Sequence, residues 1–151
     1  VTTSKKGQAN IMAMSWHMII DSDPPKLGII VSSDNYSFNI LKSTKECVIN
    51  IPTVKLASKA ISCGRSSGKE IDKFETFGLT PLPASKVKAP LIGECYANIE
   101  CKVIDMRMVA KYDMFILKVV KVWIDAGKKR QETIHHLGGD NFMVAGRLIQ
   151  V

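Results

Sequence analysis

Apolar residues along the first half of the chain come in short runs separated by turn-forming residues. Residues 1–3 read as the end of a strand, and SKKGQ behind them as a turn. The stretch GQANIMAMSW, residues 7–16, is apolar enough for a second strand, closed by the loop DSDPP. Pro24 and Pro25 favour extended backbone ahead of KLGIIVSS, which reads as a buried strand. After Asp34 the period changes. Tyr36, Ile40 and Leu41 recur at helical spacing, so a helix starts there with Ser33 or Asp34 as its N-cap. CVINIP is a short strand ended by Pro52, and TVKLASKAISCG a second helix with Thr53 to cap it and Gly64 to stop it.

RSSGKEIDKFETFGLTPLP is a loop carrying one amphipathic turn over residues 71–77. The second half is rich in strands. CYANIECKVIDMRMVA alternates through Ile99, Cys101 and Val103, then Met106 and Met108, with a phase change near Ile104 that predicts a bulge. A tight turn at residues 111–113 leads into the long strand YDMFILKVVKVWID, and HLGGDNFMVAGRLIQV supplies a last loop and short strands. Several strands without β-α-β alternation, plus short helices, predict a mainly β single domain over residues 1–151, a small barrel decorated by helices.

Composition changes this picture little. No run approaches the roughly 18 apolar residues of a membrane-spanning helix. The net charge of +7 is spread over scattered lysines, with KKR at 128–130 as the longest basic run. Nucleic-acid binding needs a clustered patch with stacking aromatics, so attraction for anionic small molecules is the more economical reading. Cys47, Cys63, Cys95 and Cys101 form no C-x-x-C pair, and only His17, His135 and His136 could join them as ligands. That spacing predicts reduced, buried thiols in a cytoplasmic protein and no metal site.

The loud catalytic motifs are missing: no G-x-G-x-x-G, no P-loop, no H-E-x-x-H and no G-x-S-x-G. What remains are small polar residues at strand ends and helix starts: Asn10, Ser15, Ser32, Ser33, Ser37 and Asn50. Ser32 and Ser33 end an apolar strand just before a helix, where they serve either as a simple cap or as a phosphate seat aided by the helix dipole. His135 and His136 are the candidates for proton chemistry, but neighbours on a strand point to opposite faces and cannot both enter one site.

The ordered set ANIMAMSW, DPP, VSSDNYSFNILKSTKECVINIP, SGKEIDKFETFGLTP and ECYANIECKV resembles the flavin reductase-like family, close to its flavoredoxin branch, with a fainter echo in HLGGDNFMVAG. The resemblance implies an FMN-binding split β-barrel acting as a homodimer, with the flavin near the dimer interface. It also implies that the chain starts inside its first strand and that a leading segment precedes it. Asn10, Met12, Ala13, Met14 and Ser15 correspond to the strand whose backbone lines the isoalloxazine ring. Trp16 either packs nearby or belongs to the core. Ser32, Ser33, Tyr36 and Ser37 match the segment that contacts the phosphate, Asn50 a position near the flavin or the dimer seam, and Ser67 with Gly68 a loop near the site.

Two departures stand out. Relatives often carry Arg-Tyr-Thr where this chain has Asn35, Tyr36 and Ser37, so the bidentate phosphate grip of an arginine is absent; Lys42, Lys69 or Lys73 could compensate. Many also have an Asp-His pair where Asp113 is followed by Met114, which bears on NAD(P)H as co-substrate. The first expectation is thus an FMN oxidoreductase passing electrons from NAD(P)H to an acceptor. The second is a flavoredoxin-type carrier fed by an acidic redox protein, and the third a flavin-free binding module.

Overall fold

The computed structural model describes residues 1–125, 127 and 132–146. Its frame is one antiparallel sheet of seven strands in the order β2-β1-β5-β8-β9-β4-β3. These are β1 (Thr2–Lys5), β2 (Gln8–Ile11), β3 (His17–Ser22), β4 (Pro25–Ile30), β5 (Glu46–Ile51), β8 (Ala97–Asp105) and β9 (Met114–Ile124). Two ribbons stand apart from it: β6 (Pro81–Leu82) with β7 (Leu91–Ile92), and β10 (Ile134–Gly138) with β11 (Asn141–Val144). Helices α1 (Tyr36–Thr44), α2 (Ala57–Arg65), α3 (Lys73–Thr76) and α4 (Val109–Tyr112) fill the connections, with a single 3₁₀ turn at Val54–Leu56. The mainly β reading holds.

Local chemistry explains most boundaries. Lys6 and Gly7 take positive φ and close the β1–β2 turn. Asp72 caps α3, its carboxylate accepting from the amides of Phe74 (2.8 Å) and Glu75 (3.2 Å). The expected bulge is present: the β8–β9 register shifts between Val103 and Asp105, and again at Glu100/Cys101. Phe38 of α1 meets Phe115 of β9 edge-on, centroids 5.5 Å apart, within a core that also holds Ile29, Leu41, Cys47 and Leu117. A second cluster gathers Ile11, Leu56, Cys63, Phe74, Leu79 and Ile92.

Four local expectations are corrected. Residues 7–16 are not one strand: β2 stops at Ile11, residues 12–16 follow no regular pattern, and β3 starts at His17. The N-cap of α1 is Asn35, not Ser33 or Asp34, and no side chain caps it, since Ser32 and Asp34 are tied into the preceding turn. Helix α2 runs through Gly64 to Arg65, where the Ser66 hydroxyl donates to the Ser62 carbonyl and shields the last turn. Met106 and Met108 lie past the end of β8, in the turn that enters α4. The stretch expected to form a strand after Gly146 lies outside the described residues.

All four cysteines are buried and free. Burial pushes the thiols of Cys47 and Cys95 up to about 12, and those of Cys63 and Cys101 upward as well. Among the described residues no helix is long and apolar enough to cross a membrane.

Candidate functional site

The break between β2 and β3 opens one side of a cavity of about 780 Å³. Met12, Ala13, Met14 and Ser15 border it on that side, with Asn50 and Pro52 from the end of β5 opposite. The segment is well suited to a wall. Met12 turns its side chain into the main core and Met14 packs against it, so main chain and small side chains are left facing outward. Asn50 borders the same space, yet its amide is spent on structure. It donates to the Val48 carbonyl at 3.1 Å and accepts from the Ile92 amide at 3.2 Å.

The β10–β11 hairpin also borders the cavity. Consecutive residues from Thr133 to His136 border the cavity together with Phe142. His135 and His136 both border the cavity, and it is the His136 ring whose contacts are defined. The His136 ring contacts Ser15 Oγ through Nδ1 (3.3 Å) and the Gly139 carbonyl through Nε2 (3.1 Å). A carbonyl only accepts, so Nε2 carries the proton, and in the neutral ring Nδ1 accepts from the Ser15 hydroxyl. Main-chain bonds from Val54 to Glu132 and from Ala145 to Thr133 hold the hairpin base, and Arg65 pairs with Asp140 at 2.6 Å. Both partners of that pair are well exposed. Replacing Arg65 by alanine is accordingly expected to change the unfolding free energy by less than about 1 kcal/mol, as read from urea denaturation.

Lys73, named from sequence as a lysine that could compensate at the phosphate, is buried. Its ammonium donates to the carbonyls of Ile11 (2.9 Å) and Cys63 (2.7 Å), joining two walls of the cavity. Burial pulls its pKa below the ordinary lysine value, with the Cys63 thiol opposing.

A second, polar cluster sits on the other side of β2. Asn10 is buried and donates to Ser37 Oγ at 2.7 Å, while its Oδ1 has no partner among the described residues. The Ser67–Gly68 loop closes on it. A Cβ on Gly68 would lie 2.7 Å from Asn10 Cγ and 3.3 Å from Tyr36 Cδ1. Asn10, Tyr36, Ser37 and Gly68 thus come together as a unit.

Three other candidates stand elsewhere. The Ser33 amide donates to the Asp113 carboxylate at 3.1 Å, so a carboxylate already occupies that donor. Ser32 Oγ accepts from the Asp34 amide. Both serines take part in the turn into α1. Trp16 is 67% exposed, which removes it from the core.

A large, mostly apolar cavity beside a buried polar cluster, on an antiparallel sheet split by irregular segments, defines the class as a split β-barrel. A family model described as the flavin reductase like domain matches residues 1–143, and the chain belongs to that family. The FMN-binding domain of a flavin reductases-like enzyme from Shewanella baltica superposes with a TM-score of 0.92 at 22% identity, over 99% of this chain and 86% of that one. Flavoredoxin of Desulfovibrio vulgaris gives 0.89 at 25% identity, with the same coverage. By sequence, an uncharacterised protein of Archaeoglobus fulgidus is 30% identical over 113 residues, 75% of this chain and 64% of that protein. The chain thus spans somewhat less than two thirds of that relative's length.

Proposed function

We infer that the chain binds FMN and works as a flavin-dependent oxidoreductase. The supporting observation is the pairing of two sites around one strand end: a cavity walled by residues 12–15, and a polar cluster around an Asn10 amide with unspent hydrogen-bonding capacity. These residues fit the cofactor. A planar isoalloxazine needs apolar faces and edge-on donors and acceptors, which the main chain of residues 12–15 supplies without bulk. Gly68, with no side chain, lets its loop pack directly on the Asn10 amide.

When bound, FMN supplies the hydride and electron chemistry, and the protein supplies orientation and exclusion of water. Met12 and Met14 anchor the ring wall to the core. Ser15, in contact with His136 Nδ1, presents its hydroxyl to the cavity. Lys73 keeps the Ile11 and Cys63 walls in register without entering the chemistry. No strong acid or base is required of the chain, consistent with the lack of a loud catalytic motif.

NAD(P)H as co-substrate and a homodimeric assembly in the cytoplasm complete this reading. Trp16, Met18 and Ile20, all exposed, offer an apolar surface for a second copy. Purified protein is expected to be yellow, or to quench added FMN fluorescence on binding; failure of both would remove the flavin reading.

A flavoredoxin-type carrier is the second reading. Met114 follows Asp113 where many relatives place histidine, and the Asp113 carboxylate is committed to Ser33. The net positive charge suits an acidic redox partner. Anaerobic mixing with NADH and NADPH separates the two: rapid bleaching of the flavin by either coenzyme counts against the carrier.

A further inference from the structure

Lysine is rarely buried without an acidic partner, because an ammonium taken out of water needs compensation. Lys73 breaks that rule. It is 5% exposed, and among the described residues it forms no ion pair. The Asp72 carboxylate beside it in sequence is spent on the Phe74 and Glu75 amides at the start of α3. The titratable group that acts on it is the Cys63 thiol, which burial keeps protonated and therefore uncharged. Two of its three N–H donors go to the Ile11 and Cys63 carbonyls. Those dipoles orient the ammonium and leave its net charge in place.

The charge stands behind the wall of the large cavity. Ile11 and Cys63 both border that cavity, so Lys73 Nζ is one residue's thickness away from it. This is the seam where the end of α2 meets residues 11–13, since a Cβ on Gly64 would lie 3.1 Å from the Ala13 Cβ. Among the described residues that border the cavity none is acidic, so no carboxylate there screens the ammonium. A positive charge set in a low-dielectric wall favours negative charge in the space it adjoins.

We propose that Lys73 is a positioning residue whose buried charge stabilises the reduced flavin more than the oxidised one, and so raises the reduction potential of the bound cofactor. The inference rests on the FMN reading and extends it from binding to redox tuning. It also departs from the expectation that Lys73 serves the phosphate. Reduction by a hydride donor, or by a protein electron donor with a proton from water, adds two electrons and one proton to a neutral ring. The proton goes to N5, and the remaining negative charge is shared between N1 and the C2 carbonyl. Oxidised and reduced rings thus differ by one unit of charge, and a fixed cation beside the cavity discriminates between them. At an effective dielectric of about 20, a unit charge roughly 10 Å away changes the ratio of the two affinities by about tenfold. For a two-electron couple that ratio equals about 30 mV. Lys73 itself touches no reacting atom and moves no proton.

The test measures the midpoint potential of FMN bound to the wild-type chain and to Lys73→Gln and Lys73→Arg variants, by dithionite titration against an indicator dye. The wild type is expected to hold FMN at a potential above that of free FMN, which means that it binds the reduced form more tightly than the oxidised one. Lys73→Gln keeps a donor for one carbonyl but no charge, and is expected to lose about tenfold in that affinity ratio. Lys73→Arg keeps the charge and is expected to retain the ratio. A wild-type potential at or below that of free FMN overturns the proposal whether or not the variants fold. Equal potentials in the wild type and Lys73→Gln overturn it too, as does an equal loss in Lys73→Arg, which would trace the effect to the clasp between walls and not to the charge. Oxidised FMN and riboflavin, titrated by fluorescence quenching, should respond alike to Lys73→Gln. A loss confined to FMN, with the potential unchanged, would return Lys73 to the phosphate. Each of these failures leaves the flavin reading intact, whereas a wild-type chain that binds neither flavin removes both.

Discussion

Replacing Glu100 by alanine is expected to lower the unfolding free energy by about 3 to 5 kcal/mol, the largest loss foreseen for any substitution discussed here. Glu100 lies mid-strand in β8 with no solvent exposure. Its Oε1 accepts from the Ser85 amide (3.0 Å), the Ser85 hydroxyl (3.2 Å) and Trp123 Nε1 (2.7 Å), and its Oε2 from the Lys86 amide (2.5 Å). Alanine would orphan these donors together and release the loop between β6 and β7 from the sheet. Equilibrium urea unfolding measures the loss; a value under about 1 kcal/mol would mean that water replaces the carboxylate at little cost. Burial alone would raise this carboxyl's pKa, but the donors outweigh it and hold it below the ordinary 4.5. The sign follows from linkage: with the folded value depressed, the contribution is full above about 4.5 and drains away as the pH falls through the folded value. Acid melts of the wild type should show that decline, and a Glu100→Gln variant should flatten it.

The second large effect is expected from Gly68→Ala. The added methyl would fall on Asn10 Oδ1 and within 2.7 Å of Asn10 Cγ, and the Asn10 amide is buried and tethered to Ser37 rather than free to swing. Either the loop or the amide must shift, at about 1 to 3 kcal/mol. FMN binding should weaken with it, since Asn10 belongs to the polar cluster on which the FMN reading rests. A Gly68→Ala/Asn10→Ala double variant removes the collision, so its stability should exceed the sum of the two single losses. Strict additivity would show that the crowding is not felt. Gly7→Ala is the contrast: nothing lies within 4 Å of the new methyl, but a φ of +83° makes it costly through backbone strain alone.

The two residues also show why sequence patterns read one part of this protein well and another poorly. Alternation in ANIECKV correctly marks Ile99 and Cys101 as inward, and the same rule assigns Asn98 and Glu100 to a solvated face. Both are buried, because the connection through Ser85 and Lys86 folds back over that face. Periodicity describes a strand, not what a distant loop lays on it. The helix over Tyr36–Thr44 and the strands over Pro25–Ile30 and Glu46–Ile51 were legible because period and breakers agree there, although the expected cap of the helix was not the one used. The break after Ile11 was not, since an apolar run reads the same whether or not it is hydrogen-bonded to a neighbour. Within the candidate site, family resemblance put Asn10 with residues 12–15 and Tyr36 with Ser37 in a separate segment, whereas the structure bonds Asn10 to Ser37. The hairpin's place beside the cavity was not legible, because its contacts join residues more than a hundred positions apart, such as Ser15 and His136.

The strand order has a further consequence, for how the molecule is made. β4 pairs with β3, its neighbour in sequence, and on its other side with β9, whose residues come more than eighty positions later. β5 likewise waits for β8. During synthesis the ribbon of β3 and β4 is therefore finished long before the strand that will shelter it, and the apolar residues Leu27, Ile29 and Ile30 have no sheet neighbour on that side until Met114–Ile124 arrives. Such long-range closure slows folding and lengthens the time in which an unpaired edge can meet another chain. In this strand order β9 is the strand that joins the ribbon to the rest of the sheet.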